Sequence, residues 1–181
     1  MRTWILAAAL VVLSAIPTQA QMVDNSQREE NRPLFVAVSP VFGTLGALMG
    51  LIYHELFSLD YRVAQGEVLI FFRSDSKQRE PERVCRDYLL QPSTQQWAAI
   101  SAMVGTIIWG NFRTSFGLSS DDFMRITVRA ILAYAGGMTG ARTAVEWLCQ
   151  KQPRWKRADL MVFTTVLATG LGAALGFNLI W

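Results

Sequence analysis

Four ionisable residues have types and spacing that invite a chemical reading: His54 and Glu55, adjacent in the chain, and Arg142 and Glu146, four residues apart. A His-Glu pair begins the zinc-protease motif, which needs a second histidine four positions after the first so that both face one metal. Here Leu56, Phe57 and Ser58 follow, and His54 is the only histidine, so the motif does not complete. Cys85 and Cys149 lack the CxxC spacing of a metal or redox site, and there is no glycine-rich phosphate loop. The serines and cysteines have no histidine base except His54. No catalytic residue, metal or cofactor is assigned on this basis, and the chain is expected not to be an enzyme. His54, Glu55, Arg142 and Glu146 instead fall near one end of two apolar segments, where ionisable groups must be paired. The expectation is a structural ion-pair cluster, with Arg142 bound to Glu146 or Glu55 and fixing helix register.

The elements that would position these residues follow from composition. Of 181 residues, 51% are hydrophobic and 17% are Asp, Glu, Lys or Arg, against roughly a quarter charged in ordinary soluble domains. Several stretches of spanning length contain no charge. The net charge of +3 then reads as Lys and Arg kept on one side of a bilayer, and no nucleic-acid partner is implied.

Met1–Ala20 has Arg2, an apolar run from Trp4 to Ile16, and Thr18-Gln19-Ala20 as a small-residue exit, the layout of a signal peptide cleaved before Gln21. Its 13 apolar residues would reach only about 20 Å as helix, short of a hydrocarbon core of roughly 30 Å. Residues 21–33 then form a polar extracytoplasmic tail. Residues 34–53 and 160–181 are uncharged over 20 and 22 residues and predict transmembrane helices. Residues 97–112 predict another. Residues 120–149 predict a fourth, with Arg129 and Arg142 snorkelling toward opposite surfaces. The fold class expected is all-α: a four-helix transmembrane bundle after a signal peptide.

Tryptophan placement agrees, because indole rings favour the headgroup level. Trp97 and Trp109, Trp147, Trp155 and Trp181 all stand at the ends of these spans. Counting Lys and Arg places ten in the 54–96 segment and the basic 150–159 connection, against Arg28, Arg32 and Arg113 in the tail and the 113–119 turn. The positive-inside tendency makes the first pair cytoplasmic, with the mature N- and C-termini outside, in an inner membrane of bacterial type. Cys85 and Cys149 would then share a reducing compartment and stay unpaired; an inverted topology would let them pair.

Small residues at four-residue spacing allow close backbone approach between helices in lipid. Gly43, Gly46 and Gly50, then Gly137 and Gly140, then Gly172 and Gly176 supply such faces. The charged 54–96 segment is read as holding a short hairpin, Tyr61–Ala64 with Glu67–Phe72, then an exposed loop 73–80 and a short helix Pro81–Leu90. The function these features favour is a non-enzymatic subunit or assembly factor of a larger membrane complex. Its partners would be the lipid bilayer and another membrane protein or further copies of itself. The alternative is a self-assembling channel or holin-like pore former, whose glycine ladders would face sister subunits.

Overall fold

The computed structural model describes residues 32–66, 69–72, 80–113, 120–150 and 157–179. Helix α1 covers Arg32–Ala64; the short α2, Pro81–Val84, runs directly into a π-helical turn, Cys85–Leu89; α3 covers Pro92–Arg113, α4 Ser120–Gln150 and α5 Ala158–Asn178. Met1–Ala20, the tail up to Asn31 and most of the loop 73–80, the 113–119 turn and the 150–159 connection lie outside the described residues.

Sequence chemistry accounts for the punctuation. Pro81 and Pro92 occupy first helical positions, where the missing N–H is no loss and the fixed φ suits the helix. Pro40 lies inside α1 and removes one backbone donor, and the Thr44 hydroxyl donates to the Pro40 carbonyl at 2.7 Å. Gly66, with φ of 71°, turns the chain away after α1, a conformation that disfavours any residue with a Cβ.

The four long helices form a bundle in which sequence neighbours run antiparallel. Around the bundle the order is α1, α3, α4, α5, and α5 packs back on α1. Two of them, over Ala37–Leu59 and Ala158–Asn178, are long and apolar enough to cross a membrane, with mean hydropathy 1.3 and 1.8. Leu51, Val145, Leu148, Met161 and Phe177 fill the interior, joined at one end by Val84, Tyr88 and Leu89.

Glycine sets the helix separation. A Cβ placed on Gly46 of α1 would sit 2.2 Å from the Ser101 carbonyl oxygen of α3, and one on Gly176 of α5 would sit 2.0 Å from the Leu132 carbonyl oxygen of α4. Gly43, Gly50, Gly140 and Gly172 likewise meet atoms of a neighbouring helix of the same chain at under 3 Å from such a Cβ, whereas at Gly137 the nearest atom is 3.4 Å away.

Two expectations need correction here. No strand occurs among the described residues, so the hairpin is absent: Tyr61–Ala64 continues α1 to a length of 33 residues, about 50 Å. Helical continuation carries Arg62 onto the face already occupied by His54, where it is buried, and a strand would have lost that alignment. Cys85 and Cys149, expected to stay apart, are joined by a disulfide with their Cα atoms 5.8 Å apart. The π-turn and the last turn of α4 meet at the same end of the bundle, and this proximity allows the bond.

Replacing Gly176 with Ala should lower the melting temperature of the purified protein in mild detergent, by an overpacking penalty of about 1–3 kcal/mol. Gly137→Ala, where a methyl group meets ordinary contact distances, should leave it nearly unchanged. Equal effects at the two positions would contradict the asymmetry of the packing.

Candidate functional site

The polar groups of the interior gather at the end of the bundle where α1 terminates, α2 and the π-turn cross, and α3 begins. Burying the end of a helix here requires partners for every charge withdrawn from water. Arg62 is 2% exposed and is met from several elements, and Glu55, 0% exposed, is met by residues 69–72.

Arg62 directs one guanidinium nitrogen, Nη2, at three acceptors. It lies 2.6 Å from His54 Nε2, 3.0 Å from Gln91 Oε1 and 3.1 Å from Thr94 Oγ1. The first contact requires His54 Nε2 to act as acceptor, so the ring proton belongs on Nδ1. The guanidinium also lies over the Tyr88 ring, 5.4 Å from its centroid, and the His54 ring stacks on Trp97 at 5.9 Å with planes 19° apart. One arginine thus ties α1 to the π-turn and to the start of α3.

Glu55 secures a different piece. Its carboxylate accepts the backbone N–H of Ile70 at 2.9 Å and of Phe71 at 2.8 Å, one oxygen to each. Such charge-assisted bonds are roughly twice as strong as neutral ones. They hold residues 69–72, an irregular segment with its own Leu69 buried, against α1.

The π-turn supplies the lid of this end. Its wider pitch, marked by the Leu90 N–H donating to the Cys85 carbonyl at 2.9 Å, turns Cys85, Tyr88 and Leu89 inward together. Gln95 Nε2 donates to the Leu89 carbonyl and Gln91 Nε2 to the Asp87 carbonyl, so side chains of the 91–95 stretch satisfy carbonyls at the turn's end. The Tyr88 hydroxyl is buried. Burial first, and then the negative charge of Glu55, push its pKa well above the ordinary tyrosine value, so it remains a neutral phenol. The Cys85–Cys149 bond fastens the turn to α4. Outside it, an open polar pocket of about 490 Å³ is lined by Gln65, Gly66, Arg86, Asp87 and Gln91.

The structure brings together only half of the four ionisable residues singled out in the sequence. His54 and Glu55 are buried at the capped end, while Arg142 and Glu146 are exposed on α4, with no ion pair between them among the described residues. The partner that meets His54 is Arg62. Its signal in the sequence is the eight-residue spacing from His54, which returns to the same helix face; the strand-like character of Tyr61–Ala64 masks it. Gln91, Thr94 and Tyr88 were not legible, because their approach depends on how the chain folds back after Gly66.

Chemically, the arrangement binds the protein to itself. Among the described residues no group of three or more His, Cys, Asp or Glu side chains is placed to hold a metal ion. The chain matches no family model, and no curated protein and no solved structure is significantly similar to it.

Arg62→Met should leave His54, Gln91 and Thr94 without their shared donor and destabilise the capped end by about 3 kcal/mol. Limited proteolysis should then cut within the 65–91 region of the variant much faster than in the parent, with the helix pair α4 and α5 surviving; equal cleavage rates would contradict the role given to Arg62. Reduction of the disulfide opens a loop spanning a sequence separation of 64, and by loop entropy should lower stability by up to about 4 kcal/mol. Thermal melting with and without reductant reads this, and identical curves would contradict it.

Proposed function

We propose that the chain is a small polytopic membrane protein whose four long helices all cross the bilayer, and that it serves as a non-enzymatic subunit or assembly factor of a larger membrane complex. The observation carrying this reading is the distribution of apolar surface. Val41 and Leu45 on α1, Val104 on α3, Ile131 on α4 and Leu171 and Leu175 on α5 are all large, apolar and more than two-fifths exposed. Soluble monomers rarely leave apolar surface on every side. A bilayer would cover this belt, and exposed Trp97 and Trp147 stand near one edge of it.

Two further features favour a supporting role over a pore or an enzyme. Thr106, Thr164, Thr165 and Thr169 each donate to the carbonyl four residues back in their own helix, which uses their donors locally, and among the described residues they do not line up as a continuous stripe for a water-filled channel. The glycine faces a self-assembling pore would turn toward sister subunits are occupied by helices of the same chain. His54, Glu55 and Arg62 are likewise engaged in internal contacts.

The disulfide bears on orientation. The Lys and Arg count favours the capped end on the cytoplasmic side, in an inner membrane of bacterial type with the mature termini outside. A bond between Cys85 and Cys149 favours the opposite orientation, because disulfides persist on the oxidising side. The bond outweighs the count. The count is a statistical tendency, and Arg125 and Arg129 on α4 add positive charge at the other end of the bundle.

Isolation in mild detergent, with mass measured by light scattering, should recover the chain in stoichiometric association with a different membrane subunit; a homogeneous ring of this chain alone would contradict the reading. On intact cells, a maleimide-polyethylene glycol should shift Cys85 and Cys149 only after an impermeant reductant is added. A shift without reductant after permeabilisation would restore the cytoplasmic orientation.

A further inference from the structure

A cavity of about 580 Å³ opens between α1 and α5 directly beneath the 69–72 segment. Leu45 and Leu48 of α1 and Val162 and Phe163 of α5 form its walls, and Ile70 and Phe71 form its roof. The roof is fixed, since the two backbone N–H groups at Ile70 and Phe71 are those held by the buried Glu55 carboxylate. The side is open: Leu45 is 51% exposed and Phe163 56%, so the groove communicates with the apolar belt. Near its upper end stands Asp159, 3.4 Å from the guanidinium of Arg157, both well exposed.

We propose that this groove seats one acyl chain of a phospholipid with a zwitterionic, amine-bearing headgroup. The inference rests on the reading of the chain as a membrane protein, in which lipid is the molecule facing the opening. The volume lies within the range of small-molecule sites, about 300–1,000 Å³. From Asp159 to Val166 the groove runs seven residues along α5, about 10 Å of helix, or roughly two-thirds of one leaflet's hydrocarbon depth. A chain of that depth brings its headgroup to the Arg157–Asp159 level, where two opposite charges side by side match a phosphate and an ammonium: the guanidinium takes the phosphate and the carboxylate the ammonium. Glu55 then acquires a second consequence, because the segment it holds supplies Ile70 and Phe71 to the groove lining.

The test uses the full-length protein in vesicles of phosphatidylethanolamine and phosphatidylglycerol, with a photoactivatable diazirine in the acyl chain of one or the other. After irradiation and digestion, labelling of peptides 44–48 and 158–166 from the phosphatidylethanolamine probe should exceed labelling around Ile131 and Leu175 several-fold. Leu48→Trp, which fills the groove, should bring it down to the level of the belt; Leu45→Trp, at the exposed mouth, serves where the first variant does not fold. Asp159→Asn should remove the preference for the amine-bearing probe. Even labelling along the belt, or enrichment indifferent to both tryptophan variants, would overturn the site while leaving the membrane reading intact. Loss of the protein from vesicles on alkaline washing would overturn the membrane reading, and the site with it.

Discussion

An arginine and a glutamate withdrawn from water at one end of a helix bundle set conditions that the rest of the chain must meet. Arg62 needs acceptors and Glu55 needs donors, and neither finds them within its own helix alone. Helix α1 therefore runs well past its apolar stretch to deliver Arg62, residues 69–72 return to present two N–H groups, and α3 begins where Gln91 and Thr94 can face the guanidinium. An unpartnered charge in such a place would cost several kcal/mol, so the elements are mutually dependent: moving any one strands the others. The π-turn follows from the same demand. Its wider pitch turns Tyr88 under Arg62 while placing Cys85 against α4.

The remainder of the bundle is held by a different principle. Below the capped end, helices meet at glycine, with a carbonyl of one helix standing where a Cβ of the other would be. Close approach gains dispersion contacts along long stretches of backbone and needs no polar partner, which suits an environment where burial of apolar surface gives little advantage. The two principles divide the molecule. One end has specific polar contacts and a covalent tie, and the other has small residues and an apolar exterior. Asn178, whose side chain donates to Ser39, is a polar contact linking α5 to α1 near the opposite end.

Much of the architecture could be read from residue order, and the reasons for the misses are physical. Uncharged runs, terminal prolines and small-residue spacing are local properties, and they indicated long helices at 34–53, 97–112, 120–149 and 160–181 and a short helix opening at Pro81. The capped end is non-local. Tyr61–Ala64 and Glu67–Phe72 look like strand because Val, Ile and Phe suit strands in isolation; tertiary contacts at Arg62 keep the first of them helical. Arg142 and Glu146 drew notice by their spacing on one helix, yet spacing alone says nothing about which face turns inward, and both turn out. The pairing of Cys85 with Cys149 depends on a proximity that only the fold provides, and counting charges in the connections is blind to it.

We propose that the apolar exterior of all four long helices is a lipid-facing surface, while His54, Glu55 and Arg62 at the capped end are engaged in internal contacts. Spin labels placed singly at Leu45, Ile131 and Leu175 in reconstituted vesicles measure this most directly, through collision with dissolved oxygen and with a water-soluble nickel complex. High oxygen and low nickel accessibility at all three sites is the predicted result. Nickel accessibility equal to that of a label on exposed Arg86 would place the belt in water and contradict the account.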